Sequence, residues 1–344
     1  MARKLNLEEI GRLAGVSRST VSRVVNGEPN VSPEAKARVE AIIRQTGYRP
    51  HAAARSLASR RTGIVGLVIP SAVETLFDDP YFGRLILGIS RATNLLGTTL
   101  SLFLFNEETE ERAIFPRVVS PGLVDGVIVT ATRMGDPLID LLFDEGMPFV
   151  VVGRPDPGRP VFSVDVDNRG GGRIAGAHLA RHGYRRIAMI GAPLNTTAGI
   201  DRRDGFLEGL EEAGLGIDGR FTEGDWSQRS GFEAMGRLLR ESPDAVFAAS
   251  DRMAVGAMRA VREAGLRCPD DVAVVSFDGL IPEDQTVPGL TSVHQPVPEV
   301  GERAARMLHG VIERQVTTPE QVVFPVELTV RASCGARSRA GSPA

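Results

Sequence analysis

From Gly63 onward, short apolar runs alternate with amphipathic stretches, and this alternation restricts the possible fold more than any other feature of the sequence. The apolar runs have the length of strands and include residues 64–69, 100–105, 126–130, 149–152, 162–166, 187–190, 245–248 and 272–277. The helical stretches include residues 81–96, 171–182, 202–213, 230–240, 253–264 and 297–313. Such alternation is typical of parallel α/β sheets that helices cover on both faces. Two successive sets of these units predict two similar lobes.

Residues 5–46 differ from this pattern because they predict three short helices and no strand. The first helix ends in a turn that contains Gly15. Ser17 stands at the N-cap position of the second helix, residues 18–26, and the third helix begins with Pro33 at its first position. A helix, a glycine-containing turn and a second helix together form the helix-turn-helix pattern.

The helical segment also carries the positive charge of an otherwise acidic chain. Residues 1–62 contain 12 basic and five acidic side chains, for a charge of +7, whereas the remaining residues carry −10 and the whole chain −3. A basic head on an acidic body suggests a nucleic acid or another anionic partner. Arg18 and Arg23 can bind guanine edges bidentately, and the hydroxyl groups of Thr20 and Ser22 suit phosphate oxygens.

Composition excludes several classes of protein. With 42% hydrophobic residues the chain can build a packed core, so wholesale disorder is excluded. Two cysteines cannot form a disulfide framework, and no cluster of cysteine and histidine has metal-site spacing. The beginning, MARKLNLEEIGRLAG, resembles neither a signal peptide nor a membrane anchor, and no apolar run is long enough for a transmembrane helix. We therefore expect a cytoplasmic protein without metal.

Two patterns that could indicate an enzyme are rejected. Gly170, Gly172 and Ala175 in GGGRIAG fit a loose dinucleotide fingerprint, but no suitable ribose-binding acid follows at about 20 residues. The five histidines do not cluster with serine or cysteine as a catalytic triad requires. His178 and His182 are expected on a solvated helix face. We therefore predict no catalytic site and no cofactor.

The segment IGRLAGVSRSTVSRVVNG, followed at matching spacing by TGYRPHAAARSLASRRTGIVGLVIP, resembles the LacI/GalR family of bacterial transcription regulators. The resemblance extends to about Arg331. It implies an all-α helix-turn-helix headpiece and a two-lobed α/β core of the periplasmic-binding-protein-like fold (type I). It implies base-reading roles for Arg18, Ser19 and Arg23. It implies contacts to the DNA backbone by Thr20, Ser22, Asn26 and Tyr48.

The resemblance also divides the chain into domains. Residues 1–47 form the headpiece, 48–62 a hinge helix or linker, 63–336 the effector-binding and dimerisation core, and 337–344 a disordered tail. Lobe 1 is expected at about 63–161 and 292–322, and lobe 2 at about 162–291 and 323–336.

Residues 51–59 predict a helix too short to be stable alone, because isolated helices below about 12–15 residues are marginal in water. The segment is expected to fold when it docks on DNA. In the family the leucine that matches Leu57 inserts into the minor groove and kinks the operator, as apolar wedges do in other proteins. The alternative is that Leu57 packs against the core or the partner hinge. His51 stands where the family usually has asparagine.

The core is expected to hold a small effector between its lobes, beyond the carboxyl ends of the strands. The resemblance places effector contacts at Tyr81, Phe82, Arg202, Trp226, Ser250, Asp278 and Gln295, and Arg154 is a further candidate at the cleft. Ser250 stands where the family usually has asparagine. Carboxylate and guanidinium groups can bind several sugar hydroxyls at once, so a sugar or a sugar phosphate is the expected effector, with a nucleobase as the main alternative.

The sequence therefore predicts a DNA-binding transcription regulator, a repressor of a carbohydrate-utilisation operon associated with the nucleoid. It is expected to bind double-stranded, pseudo-palindromic operator DNA as a homodimer, because one recognition helix reads few base pairs. The end, ASCGARSRAGSPA, contains no heptad helix for a tetramer. Two other classes remain: a sugar-binding protein without DNA function, which the basic head disfavours, and a dinucleotide-dependent enzyme.

Overall fold

The structure is a computed structural model that describes residues 5–25, 30–48, 61–69, 73–105, 115–116, 118, 120, 122–130, 133–155 and 160–335. The predictions for Asn26, His51, Leu57, most of the linker and the 337–344 tail lie outside the described residues.

Three helices form the amino-terminal unit: α1 (Leu7–Ala14), α2 (Arg18–Val25) and α3 (Pro33–Thr46). Each begins at a polar cap. Asn6 and Glu9 cap α1 reciprocally, the Ser17 hydroxyl accepts a hydrogen bond from the Thr20 backbone N–H at 3.1 Å, and the Ser32 side chain caps α3. Their apolar faces meet in a small core made of Ile10, Ala14, Val21 and Val39. The three predicted helices are thus present.

The larger unit contains two six-stranded sheets. The first sheet has the order β11-β5-β4-β3-β1-β2. Its strands are β1 (Ile64–Ile69), β2 (Thr99–Leu104), β3 (Gly126–Thr130), β4 (Phe149–Val152), β5 (Ser163–Val166) and β11 (Gln321–Phe324). Strands β3, β4 and β5 are buried along their whole length, because helices cover both faces of a parallel sheet.

The second sheet has the order β12-β10-β9-β8-β6-β7. Its strands are β6 (Ile187–Gly191), β7 (Phe221–Glu223), β8 (Ala245–Ala248), β9 (Ala273–Asp278), β10 (Thr291–His294) and β12 (Glu327–Thr329). Strand β12 runs antiparallel to β10, and β6, β7, β8, β9 and β10 pair in parallel. Strands β7, β10, β11 and β12 are absent from the predicted set because they are short and, apart from β10, partly exposed.

Helices separate the strands along the chain. They are α4 (Val73–Asp78), α5 (Pro80–Leu95), α6 (Pro137–Asp144), α7 (Asn168–Arg181), α8 (Thr197–Glu211), α9 (Gln228–Leu238), α10 (Asp251–Glu263) and α11 (Val297–Ile312). Helices α5 and α11 pack together beside the first sheet, and the pairs α7/α8 and α9/α10 pack beside the second. We call the first sheet with its helices lobe 1 and the second with its helices lobe 2. The predicted fold class is confirmed.

In the described part of the chain, the backbone passes between the lobes after β5, after β10 and after β11. The boundaries predicted at 161/162, 291/292 and 322/323 each lie a few residues too early. Strand β5 still pairs with β4, β10 still pairs with β9, and β11 stays beside β5 to Phe324. The reason is that each strand completes its ladder before the chain crosses.

Helices α7 and α8 approach so closely that their backbones touch at glycines. A Cβ atom on Gly172 would lie 2.3 Å from the Arg202 carbonyl oxygen, and one on Gly205 would lie 1.8 Å from the Arg169 carbonyl oxygen. The glycine-rich segment that imitates a dinucleotide fingerprint therefore serves helix packing. The close approach also positions Arg202, on α8, against the start of α7.

Candidate functional site

The candidate DNA-contacting side chains share helix α2. Arg18, Ser19 and Arg23 are exposed, whereas Thr20 and Ser22 are half-buried. The Ser17 hydroxyl oxygen lies 2.8 Å from that of Ser19 and 2.9 Å from that of Thr20, so these hydroxyls are held at the start of the helix. Exposed arginines on the second helix, with Arg18 at its start, match the geometry by which helix-turn-helix proteins reach base edges.

Tyr48 has a different position, after α3. Its side chain is half-buried against the core of the amino-terminal unit, and this burial raises the pKa of its hydroxyl. Arg18 lies 3.8 Å from Glu8, and both side chains are largely exposed. Such a pair contributes little to stability, so the Arg18 guanidinium can exchange this partner for a base or a phosphate.

All eight predicted effector residues line one cavity of about 430 Å³ in the larger unit. Its volume is within the usual range of small-molecule sites. The wall includes Tyr81, Phe82, Arg154, Arg202, Trp226, Ser250, Asp278 and Gln295. It also includes residues that were not predicted, among them Asp79, Thr130, Arg133, Asp165, Asn168, Asn195 and Asp225. Both lobes contribute to it.

Arg202 is the centre of the hydrogen-bond network in the wall. Its side chain is 6% exposed, and its Nε donates to Asn168 Oδ1 at 2.8 Å. Its Nη1 donates to the Ala249 carbonyl oxygen at 2.7 Å and to Asp278 Oδ1 at 3.0 Å. The guanidinium carbon lies 3.7 Å from the ring centroid of Phe277, a distance that favours a cation–π interaction. These contacts fix the charge of Arg202 at the cavity.

Asp278 ends β9 with a φ of +111°, a backbone conformation that non-glycine residues rarely adopt. Its Oδ1 also accepts a hydrogen bond from Gln295 Nε2 at 2.7 Å, and its Oδ2 accepts one from the Asp251 backbone N–H at 3.3 Å. Burial raises the pKa of Asp278 to about 7, although the Arg202 charge opposes this change. Two of the predicted effector residues, Asp278 and Gln295, are thus hydrogen-bonded to each other.

Asp251, the first residue of α10, holds the segments around Asp278 together through hydrogen bonds. Its Oδ1 accepts hydrogen bonds from the hydroxyls of Ser276 (2.6 Å) and Ser292 (2.7 Å), and its Oδ2 accepts one from the Leu280 N–H at 2.7 Å. It therefore links β9, β10 and the turn after Asp278. Asp251 was not predicted from the sequence, although an acid in the first turn of a helix was a visible signal.

Asp165 lies in β5 on the wall of lobe 1 and is another residue that was not predicted from the sequence. Its Oδ1 accepts hydrogen bonds from the Val166 N–H at 2.8 Å and from Asn168 Nδ2 at 3.0 Å. Burial raises its pKa to about 6, and Arg202 acts against this change. A charged residue inside the apolar run FSVDV was the signal that could have indicated it.

Arg154 lines the cavity, but its guanidinium is already engaged. Its Nε and Nη2 donate to Asp201 Oδ2 and Oδ1 at 3.0 and 2.8 Å. Arg154 follows β4 of lobe 1 and Asp201 lies on α8 of lobe 2, so the pair joins the lobes. The Thr197 hydroxyl donates to the Arg154 carbonyl oxygen at 2.7 Å, and the Met134 N–H donates to the Asn195 carbonyl oxygen at 2.8 Å. Arg154 therefore has a role in joining the lobes.

Aromatic side chains supply the apolar part of the wall. Tyr81 and Phe82, at the start of α5, contact each other edge to face with ring centroids 5.4 Å apart. Trp226 has a φ of +72°, and its ring centroid lies 5.3 Å from the Arg202 guanidinium carbon. Ser250 is the N-cap of α10, where its hydroxyl accepts a hydrogen bond from the Met253 N–H at 3.3 Å.

The histidines of α7 are not on a solvated face. The rings of His178 and His182 lie 4.3 Å apart, both side chains are half-buried, and burial lowers the pKa of His178 to about 4. The expectation of a solvated face was therefore wrong. Among the described residues, no three histidine, cysteine or acidic side chains cluster as metal ligands. None of the helices searched in that part of the chain has the length and hydropathy to cross a membrane.

Comparison with known proteins adds family evidence to this geometry. Residues 6–51 match the model "Bacterial regulatory proteins, lacI family", and residues 177–334 match "Periplasmic binding protein-like domain". The transcriptional regulator CelR of Thermobifida fusca is 39% identical over 336 residues, which cover 96% of this chain and 98% of CelR. AglR of Rhizobium meliloti (strain 1021) is 37% identical over 339 residues, which cover 96% of this chain and 94% of AglR.

Two solved structures are similar over nearly the whole chain. A complex of the regulator CelR with cellobiose matches with a TM-score of 0.76 and 38% identity, and covers 96% of this chain and 99% of that one. The lac repressor dimer bound to operator and the anti-inducer ONPF matches with a TM-score of 0.82 and 26% identity, with the same coverage. The chain described here belongs to the lacI family of bacterial regulatory proteins, and it is a helix-turn-helix transcription regulator.

Proposed function

We propose that the chain represses a carbohydrate-utilisation operon and responds to a sugar bound between lobes 1 and 2. One observation carries this proposal: residues from both lobes form a continuous hydrogen-bonded series, Asp165, Asn168, Arg202, Asp278 and Gln295, on the wall of one cavity. Charged and amide groups beside aromatic side chains suit the hydroxyls and the apolar face of a sugar ring. The likeness to a regulator solved with cellobiose supports the same effector class.

The DNA-binding half of the proposal rests on α2. Arg18, Ser19 and Arg23 would contact base edges, and Thr20, Ser22, Asn26 and Tyr48 would contact the backbone of the operator. Two heads on a homodimer would read a pseudo-palindromic site, as the likeness to an operator-bound dimer supports. Such a role places the chain at the nucleoid and requires no catalytic step.

The effector would act by shifting a population of two conformations. A ligand changes operator affinity only if it binds the two states with different affinity. Contacts that cross between lobes, such as the pair of Arg154 and Asp201, differ when the lobes change their angle. A ligand that touches Asp165 on lobe 1 and Asp278 on lobe 2 therefore favours one angle over others.

The test is a gel-shift titration of the full chain on operator DNA selected from its own genome. We expect salt-dependent binding, which the removal of residues 1–60 abolishes, and a change in affinity with at least one sugar from a panel of mono- and disaccharides. Nucleobases belong in the same panel, and a response to them alone would replace the sugar as the proposed effector.

Leu57→Ala should weaken operator binding and bending while effector binding stays intact, whereas unchanged operator affinity would exclude the wedge role.

Sedimentation tests the homodimer. We expect a dimer at the concentrations used for DNA binding. A stable tetramer would contradict the assembly state proposed here, without affecting the DNA-binding function.

A further inference from the structure

One carboxylate oxygen of Asp165 accepts no hydrogen bond from the described residues. The residue is 9% exposed, and both of its hydrogen bonds, from the Val166 N–H and from Asn168 Nδ2, go to Oδ1. Oδ2 has no hydrogen-bond partner among the described residues, although the side chain lines the cavity. An anionic oxygen that faces the cavity is stabilised when a ligand that displaces water supplies hydrogen-bond donors.

A second polar group of lobe 1 lines the same cavity. Thr130, at the end of β3, has a buried hydroxyl that interacts with the Tyr81 side chain. The wall of lobe 1 thus offers an acceptor on Asp165 and a hydroxyl on Thr130. Neutral polyhydroxylated molecules supply complementary groups, because each hydroxyl can donate and accept.

The charges of the cavity are unfavourable for an anion. The guanidinium groups of Arg202 and Arg154 are already paired, with Asp278 and Asp201 respectively. Asp165 has no arginine within ion-pair distance in the described residues, so its charge is uncompensated by direct contact. Arg133 also lines the cavity, but it is exposed, where water screens its charge. A phosphoryl group beside Asp165 would therefore be repelled by the negative charge of a carboxylate that water screens poorly.

We propose that Asp165 determines the class of effector: its free oxygen binds two hydroxyls of an uncharged sugar and excludes sugar phosphates. This inference rests on the proposed sugar response and narrows it to neutral ligands. To select neutral sugars over sugar phosphates, a site must attract the first and repel the second. The buried carboxylate of Asp165 does both, because it accepts hydrogen bonds from hydroxyls and repels a phosphate.

The test compares neutral and phosphorylated ligands on two variants of the full chain. The probes are cellobiose, the neutral disaccharides of the panel above, and the 6-phosphates of the same sugars. Binding is followed by the fluorescence of Trp226, the single tryptophan of the sequence, which lines the cavity. Asp165→Asn keeps the shape and the Oδ1 acceptor but removes the charge. Glu263→Gln, on the exposed surface of α10 beside Arg259, is the matched change from carboxylate to amide.

For the wild-type chain we expect a neutral sugar to bind at least about 100-fold more tightly than its phosphate, since like-charge contacts in a binding site cost several kcal/mol. Asp165→Asn should weaken binding of the neutral sugar and reduce the ratio of the two affinities at least about tenfold. Glu263→Gln should leave that ratio unchanged. Equal binding of both ligand types to the wild-type chain, or the same ratio in Asp165→Asn, would overturn the inference.

The inference and the proposed function can fail separately. If the chain binds operator DNA and responds to a sugar phosphate or a nucleobase but to no neutral sugar, the role of Asp165 is wrong and the regulator function stands. If Asp165→Asn changes the ratio as expected but no sugar alters operator binding, ligand selection by Asp165 stands and the sugar-responsive regulation is wrong.

Discussion

Arg202 Nη1 lies 3.0 Å from Asp278 Oδ1, and this ion pair is almost fully removed from solvent, with side chains that are 6% and 13% exposed. Helix α8 supplies the arginine and the carboxyl end of β9 supplies the aspartate. Since each charge would be buried without a partner if the other were lost, the pair controls both the stability of lobe 2 and the shape of the cavity wall.

Replacing one member of this pair should be costly. We expect Asp278→Asn or Arg202→Met each to lower the free energy of unfolding by about 3–5 kcal/mol, because a buried charge then loses its partner. The double variant should lose less unfolding free energy than the two single variants together, since the contacting residues are coupled. Urea denaturation at pH 8 measures all four proteins. Strict additivity would mean that the two side chains do not interact.

The pH dependence of stability should reveal the raised pKa of Asp165. Burial raises its pKa from 3.8 to about 6, so the folded chain binds this proton more tightly than the unfolded chain. The stabilising contribution of Asp165 is therefore complete below about pH 4 and is lost as the pH rises through about 6. Thermal melts from pH 4 to 7 should show that Asp165→Asn gains stability relative to the wild type as the pH rises. A difference that does not vary with pH would show that Asp165 is not perturbed.

The ion pair that joins the lobes should affect how long an effector stays bound. Asp201→Asn removes the carboxylate that Arg154 binds at two points, and the side chains of this pair are 35% and 14% exposed. A partly exposed pair contributes at most about 1 kcal/mol, so effector dissociation should accelerate about fivefold. Stopped-flow fluorescence of Trp226 measures this rate. Arg154→Lys, which retains the charge but not the paired geometry, should have an intermediate effect, and wild-type rates in both variants would exclude the role.

Helix packing should be sensitive at Gly205. A methyl group there would overlap the Arg169 carbonyl oxygen, so Gly205→Ala must separate α7 from α8. The substitution should lower the free energy of unfolding by about 1–3 kcal/mol. Effector binding should fall as well, because Arg202 lies one turn away on α8. Gly236→Ala in α9 is the control: nothing lies within 4 Å of the added atom, and the helix should gain about 0.5–1 kcal/mol. A wild-type melting temperature for Gly205→Ala would disprove the close contact.

Operator recognition should depend on single arginines of α2. Arg18→Ala should weaken operator binding by about 1–3 kcal/mol and relax selectivity at one base pair of each half-site. Arg44→Ala removes an equal charge from α3, where the arginine lies 3.9 Å from Glu40, and should leave sequence selectivity unchanged. Competition gel shifts with operator variants measure both properties. If both substitutions reduce affinity equally without changing selectivity, Arg18 does not read a base.

Local sequence patterns determined the elements of this protein. Ser17, Ser32 and Gly15 indicated where helices begin and end because caps satisfy backbone groups within a few residues of themselves. The alternation of buried strands and helices predicted the parallel α/β class, and the family resemblance indicated residues that line the cavity. These signals depend on neighbours close in the chain or on positions shared with relatives.

Tertiary structure alone decided how those residues work. Asp165 and Asp278 are 113 positions apart in the sequence, and the crossover after β5, which lies between them, places them on different lobes where both line one cavity. The bond of Arg154 to Asp201, and the glycine contacts that hold Arg202 in place, depend on how closely separate helices and lobes pack. Charge compensation and burial are properties of distances in space, so only the folded chain shows that Arg154 is paired while Asp165 keeps an oxygen without a hydrogen bond from the described residues.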